Sequence, residues 1–118
     1  MPEKTAKDKS EQFALRIINL YKYLTNTKQE FVISKQILRS GTSIGANLAE
    51  SAYAITKNDF LSKIYIALKE CAETTYWLKL LKNSKYITEK DFTSINSDCC
   101  ELLKILNKTT KTIKSQLS

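Results

Sequence analysis

The sequence predicts an all-α protein, an antiparallel up-down-up-down four-helix bundle, and three observations carry that expectation. Its 118 residues contain only two glycines and one proline, too few for the chain reversals that an all-β protein of this size requires. The proline is Pro2, so nothing beyond it forbids long helices. Apolar residues then recur at spacings of three and four along four stretches separated by short polar segments, the pattern of amphipathic helices joined by tight turns. A chain of this length is one domain. The bundle is expected over residues 10–118, behind a flexible charged tail of residues 1–9.

The first helix is expected from Ser10 to Thr25, with Ser10 as its N-cap and Phe13, Ile17, Leu20 and Leu24 as its buried stripe. After the polar turn Thr25-Asn26-Thr27, a second helix is expected from Lys28 to Ala54. Its apolar line is Ile37, Ile44, Leu48 and Ala52, with Gly41 on the same face and small residues throughout its middle. Each glycine costs about 1 kcal/mol of helix stability relative to alanine, so close approach of a neighbouring helix is expected there. The third helix is expected from Lys57 or Asn58 to Lys82, with Thr56 as N-cap and Asp59 three residues on. Its seam is Phe60, Ile64, Ala67, Cys71, Thr74, Leu78 and Leu81. A second stripe of Leu61, Tyr65, Leu68, Ala72 and Tyr76 is more than one bundle neighbour needs, so this helix is either central or packed against another subunit. The fourth helix follows Thr88 as N-cap, with Glu89 and Asp91 in its first turn. Its expected seam is Phe92, Ile95, Cys99, Leu102, Leu106, Thr109, Ile113 and Gln116.

The side-chain inventory is poor in chemistry. The chain has no histidine, which removes the commonest general base and metal ligand. Two glycines do not make a phosphate loop. Glu70 and Glu73 form an i, i+3 carboxylate pair, but a di-metal bundle normally adds Glu-x-x-His motifs that this sequence lacks, so a structural polar contact is the expectation. Cys71, Cys99 and Cys100 are odd in number and without metal-ligand spacing, and read as reduced thiols acting as small apolar residues. No cofactor, metal or catalytic residue is expected. No apolar run approaches the length of a membrane span and no signal peptide is visible, so the expected location is the cytoplasm, away from membranes.

The formal charge is +7, from 19 basic and 12 acidic residues, with the excess toward the two ends of the chain. Such a surface attracts polyanions, nucleic acid first. Lys104, Lys108, Lys111 and Lys114 follow one another at spacings of four, three and three on the side of the fourth helix away from its seam. After Glu101 no acid interrupts them. Lys28, Lys35 and Arg39 make a looser basic line on the second helix, and Lys79, Lys82 and Lys85 cluster at the end of the third. Each phosphate contacted would steepen the salt dependence of binding. The same lysines read equally well as a solvated helix face. Arg39 is placed to pair with Glu50, Glu70 or Glu73 from a facing helix and so to fix the bundle's register. Tyr76 and Trp77 read as interface anchors before they read as a base-stacking surface.

From Arg39 to Glu50, RSGTSIGANLAE, the chain resembles the bacterial four-helix-bundle proteins encoded in intervening sequences of large-subunit rRNA genes. The resemblance continues through Asp59-Phe60, Ile66-Ala67-Leu68-Lys69-Glu70 and Glu73-Thr74-Thr75-Tyr76-Trp77-Leu78. Phe13-Ala14-Leu15-Arg16-Ile17 and Leu102-Leu103-Lys104-Ile105-Leu106 also fit it. That family is similar to the accessory variability determinant of diversity-generating retroelements, a basic, barrel-shaped homopentamer that associates with a reverse transcriptase and nucleic acid. The resemblance therefore implies a ring-like pentamer, a nucleic-acid ligand with RNA first, and a possible place as accessory protein to a reverse transcriptase. It implies no catalysis. Its motif residues fall on Gly41, Gly45, Asn47 and Glu50 as packing and register positions. The pentamer would account for the doubled stripe, with Tyr65, Tyr76 and Trp77 at the subunit interface. An assembly scaffold that binds only a protein partner is the alternative reading.

Overall fold

The computed structural model describes residues 5–117. They form four helices, α1 (Ala6–Asn26), α2 (Ile33–Ser51), α3 (Lys57–Asn83) and α4 (Glu89–Leu117). Consecutive helices pack side by side and α4 returns to α1, while the diagonal pairs stay more than 8 Å apart at every Cα. The result is an up-down bundle of square cross-section, 48 × 27 × 25 Å. Its order fixes four sides: α1–α2 lies opposite α3–α4, and α2–α3 lies opposite α1–α4.

The core is built largely from the seams that periodicity marks, though Ala52 of the expected α2 line lies just past the helix end and is exposed. Phe13, Ile17 and Leu24 of α1, Ile37 and Ile44 of α2, Cys71, Leu78 and Leu81 of α3, and Cys99, Leu102 and Leu106 of α4 are essentially inaccessible. On α4 the seam departs from expectation toward its C-terminus. Thr110, not Thr109, is the buried position, Ile113 is half-buried, and Gln116 is exposed.

Helix ends account for most differences from the sequence-based boundaries. α1 begins four residues before Ser10. Thr5 Oγ1 accepts from the Asp8 N–H at 3.1 Å, and Asp8 Oδ2 accepts from the Thr5 N–H at 3.4 Å, a reciprocal capping box. Ser10 is not a cap: it is buried within the helix, and its hydroxyl donates to the Lys7 carbonyl at 2.7 Å. Residues 5–9 of the expected tail therefore belong to the cap and first turn, and residues 1–4 lie outside the described residues. α2 begins at Ile33, not Lys28, and ends at Ser51, short of Ala54. Gln29 takes a left-handed conformation at φ 56°, and the Glu30 N–H donates to the Leu24 carbonyl at 2.9 Å, closing α1 as a left-handed C-terminal motif does. Lys28 thus lies in the turn and not on a helix. Lys85, at φ 67°, ends α3 in the same way, with the Tyr86 N–H donating to the Leu81 carbonyl at 2.9 Å. Thr56 and Thr88 do cap α3 and α4, each accepting at 3.0 Å from the N–H three residues on.

The cap of α2 departs from the sequence reading as well. Glu30 is buried, and its carboxylate accepts from the backbone N–H groups of Val32, Ile33 and Ser34 at 3.3, 3.0 and 2.7 Å. These are the orphan donors of a helix N-terminus, where a negative charge is favoured. Burial alone would push this carboxyl's pKa up. The hydrogen bonds from Ser34, Ile33 and Val32 outweigh it and hold the pKa below the ordinary carboxylate value.

The small residues of α2 sit against α1. A Cβ built on Gly41 would lie 2.8 and 2.9 Å from the two γ-carbons of Ile17, which is fully buried. One built on Gly45 would lie 3.1 Å from Ser10 Oγ. Gly41 therefore has no room for a methyl group, whereas Gly45 meets only a small hydroxyl. On the other flank of α2 the buried hydroxyls of Ser40 and Thr74 share a hydrogen bond of 2.9 Å and tie α2 to α3.

Candidate functional site

Three of the four α4 lysines form a ridge. Lys104, Lys108 and Lys111 are exposed on the outer side of α4, turned away from the buried line Cys99, Leu102, Leu106 and Thr110. The fourth, Lys114, belongs elsewhere. Its ammonium stands 5.0 Å from the centroid of the Tyr65 ring on α3, within cation–π range. The nearest acids on the N-terminal side of the ridge are already engaged, Glu101 with Lys9 and Asp98 with Arg16. Three cations are thus presented along about two turns of helix.

The second basic line is broken. Lys35 and Arg39 remain on α2, but Lys28 stands in the α1–α2 turn with its ammonium 6.0 Å from the Tyr23 ring centroid. At the end of α3, Lys82 is occupied, 4.4 Å from the Phe92 ring centroid and 3.9 Å from Glu89. Lys79, of the same expected cluster, lines a groove with Cys100 and Leu103 of α4.

Arg39 reaches across to α3. It pairs with Glu70 at 3.2 Å and with Glu73, and the Trp77 indole N–H donates to the same Glu73 oxygen at 2.9 Å. Glu50 is not part of this group; it pairs with Lys63 at 3.2 Å. The Arg39 side chain is 50% exposed, so the network lies at the bundle edge and contributes modestly to stability. Asn47 donates from its amide to the Ser43 carbonyl at 2.8 Å, within α2. The expected trio Tyr65, Tyr76 and Trp77 is split by the helix. Trp77 faces α2 through Glu73, while Tyr76, 54% exposed, lines a groove with Lys79, Phe92, Asn96, Cys100 and Leu103 on the α4 side. The two rings meet edge to face, 5.0 Å between centroids.

The cysteines lie in the α3–α4 layer. Cys71 and Cys99 are buried, and the Cys99 thiol approaches the Cys71 carbonyl at 3.5 Å. Its hydrogen bond with the Cys71 thiol, and then burial, push the Cys99 thiol well above the ordinary range, which makes it a poor nucleophile. Among the described residues, no group of three or more His, Cys, Asp or Glu side chains could hold a metal ion, and no helix is long and apolar enough to cross a membrane. A groove of about 480 Å³ between α1 and α4 is lined by Arg16, Asn19, Tyr23, Lys90, Asp91 and Ser94 over Leu20, Ile87 and Ile95. Two features escape sequence reasoning. One is the Glu30 cap, whose only signal is a carboxylate just ahead of a helical stripe. The other is the apolar tip of the α2–α3 turn, where Tyr53 and Ile55 are exposed.

Fold and surface together define a small, basic, all-α four-helix-bundle protein. The model of the 23S rRNA-intervening sequence protein family matches residues 3–108, and the chain belongs to that family. It is also similar to a solved structure from Bacteroides thetaiotaomicron, a protein of unknown function from the S23 ribosomal protein family. The two share 55% sequence identity and a TM-score of 0.90, over 91% of this chain and 99% of that one. No curated protein matches the chain.

Proposed function

We propose that this protein is a non-enzymatic, basic, oligomeric bundle that binds nucleic acid, RNA first, through the outer face of α4. The observation that carries the reading is the ridge of Lys104, Lys108 and Lys111, exposed, with the nearest preceding α4 carboxylates, Asp98 and Glu101, paired to α1. A line of ammonium groups releases condensed counterions from a phosphate backbone without reading its bases. The family's association with rRNA genes makes RNA the first ligand to test. The combined substitution Lys104→Glu, Lys108→Glu and Lys111→Glu is expected to weaken binding to a structured RNA at least tenfold at moderate salt, with helicity unchanged. Unaltered affinity in that variant would overturn the reading.

A second reading is an assembly scaffold for a protein partner, a reverse transcriptase being the kind of partner the family resemblance suggests. One observation favours it: the α2–α3 turn carries Tyr53 and Ile55, 87% and 91% exposed. Recovery of a partner from the native host that survives nuclease treatment and disappears with Tyr53→Ser and Ile55→Ser would favour the scaffold. Loss on nuclease treatment favours the nucleic-acid reading.

A further inference from the structure

Along the edge that α1 shares with α4, Arg16 pairs with Asp98 at 2.7 Å and donates to Ser94 Oγ at 2.9 Å. Two turns further along, the antiparallel register brings Tyr23 of α1 beside Asp91 of α4, and both line the groove of about 480 Å³. No second arginine stands there. The Asp91 backbone N–H donates to Thr88, but its carboxylate meets no cation and accepts no hydrogen bond among the described residues. The groove opens where the row of cross-helix pairs stops, and its volume is that of a small-ligand pocket.

The lining divides by chemistry. Its floor is Leu20, Ile87 and Ile95, all buried, and the exposed Tyr23 ring stands beside them. Its rim carries the Asn19 amide, the Lys90 ammonium and the Asp91 carboxylate, exposed and without partners among the described residues. Asp98 already neutralises Arg16, so the remaining lining charge is Lys90 against Asp91, which sum to zero. Such a groove has no net attraction for a phosphate. It suits a flat, uncharged ring, apolar on its faces and polar at its edges. The groove also continues the lysine ridge. Lys90 and Lys108 are separated by about five whole turns, so both leave α4 in the same direction. Ser94, Ser97 and Glu101 fill the outer line between Lys90 and Lys104, and Lys9 neutralises Glu101. Lys104 is about 21 Å from Lys90 along the axis. A strand with its phosphates on the ridge therefore reaches the groove along one helix face.

We infer that the α1–α4 groove takes one unstacked guanine of the RNA strand that the ridge holds. This rests on the nucleic-acid reading and adds base recognition to it: the ridge binds phosphates without regard to sequence, and the groove reads one base. Guanine presents two adjacent donors, N1–H and the N2 amine, to a single carboxylate, and the two free oxygens of Asp91 accept both. Adenine, cytosine and uracil each offer that carboxylate only one donor group. The ring lies over the apolar floor against Tyr23. Stacking on an aromatic side chain together with hydrogen bonds to the Watson–Crick edge is how unpaired RNA bases are recognised.

The test measures, by fluorescence anisotropy, binding of short oligouridine strands that differ in one central base, guanine or adenine. The intact protein is expected to bind the guanine strand about tenfold more tightly, the discrimination that one bidentate pair supplies. Asp91→Asn, which turns an amide donor toward the guanine donors, is expected to bring the two affinities together, and so is Tyr23→Ala. Both side chains are exposed, circular dichroism checks helicity, and Asp91→Ser replaces Asp91→Asn if that variant unfolds. Lys104→Glu, Lys108→Glu and Lys111→Glu combined is expected to weaken both strands alike. Equal affinity of the intact protein for the two strands, or a guanine preference that survives the Asp91 substitution, overturns the inference and leaves the ridge standing. Free guanosine monophosphate that binds as tightly as the guanine strand overturns RNA as the source of the base. An intact protein that binds neither strand overturns the proposed function, and this inference with it.

Discussion

At the scale of single residues, the two glycines of α2 have different work. Gly41 lets α2 meet Ile17 at a distance that excludes a methyl group, and Ile17 is walled in on every side. Gly41→Ala is therefore expected to cost about 1–3 kcal/mol through overpacking. Gly45 faces the hydroxyl of Ser10, which can give way, and the helix propensity gained, about 1 kcal/mol, offsets the crowding. Gly45→Ala is expected to stay within about 1 kcal/mol of the parent. Chemical denaturation of the two variants checks the pair, and equal losses would contradict the geometry. Both positions are legible in the sequence as close-packed, because glycine inside a helical pattern needs a steric reason. Which of them is critical depends on the side chain opposite, and that is a property of the packed pair.

At the scale of elements, the seams are readable from sequence and the ends are not. Periodicity finds the buried line of each helix because water-avoiding faces repeat every 3.6 residues whatever lies at the termini. The termini depend on local competition for a few hydrogen bonds. Ser10 has the chemistry of a cap, but Thr5 and Asp8 form a capping box more than one turn earlier, and the helix runs on through Ser10. Lys28 and Gln29 suit a helix, but Gln29 turns left-handed and Glu30 caps α2. Because the Glu30 pKa is lower in the folded chain than in the unfolded one, its ionised form favours folding. That stability is fully present above the unfolded carboxyl pKa, about 4.3, and is lost as pH falls through the folded value. Glu30→Gln is expected to cost about 1 kcal/mol at neutral pH. It should also reduce the drop in melting temperature between roughly pH 5 and pH 3 relative to the parent. Parallel pH profiles for parent and variant would show that Glu30 does not cap α2.

At the scale of the whole molecule, the candidate site is only partly legible in the sequence. The α4 lysines stand out as a line, yet Lys114 leaves that line for Tyr65. Its neighbour across the bundle is fixed by the α3–α4 register, which a one-dimensional pattern does not contain. Tyr76 and Trp77, adjacent in sequence, diverge to different sides because consecutive helical residues point about 100° apart. The ion pairs that join α1 to α4 and α2 to α3 emerge only when partners are assigned across helices.

The salt dependence of RNA affinity tests the central claim most directly. For the intact protein, log K against log salt is expected to fall linearly. The Lys104→Glu, Lys108→Glu, Lys111→Glu variant should show a slope shallower by about two units, roughly 0.7 for each single-strand phosphate that its side chains no longer neutralise. Salt-independent binding by the parent, or the same slope in parent and variant, would contradict a nucleic-acid site on the α4 ridge.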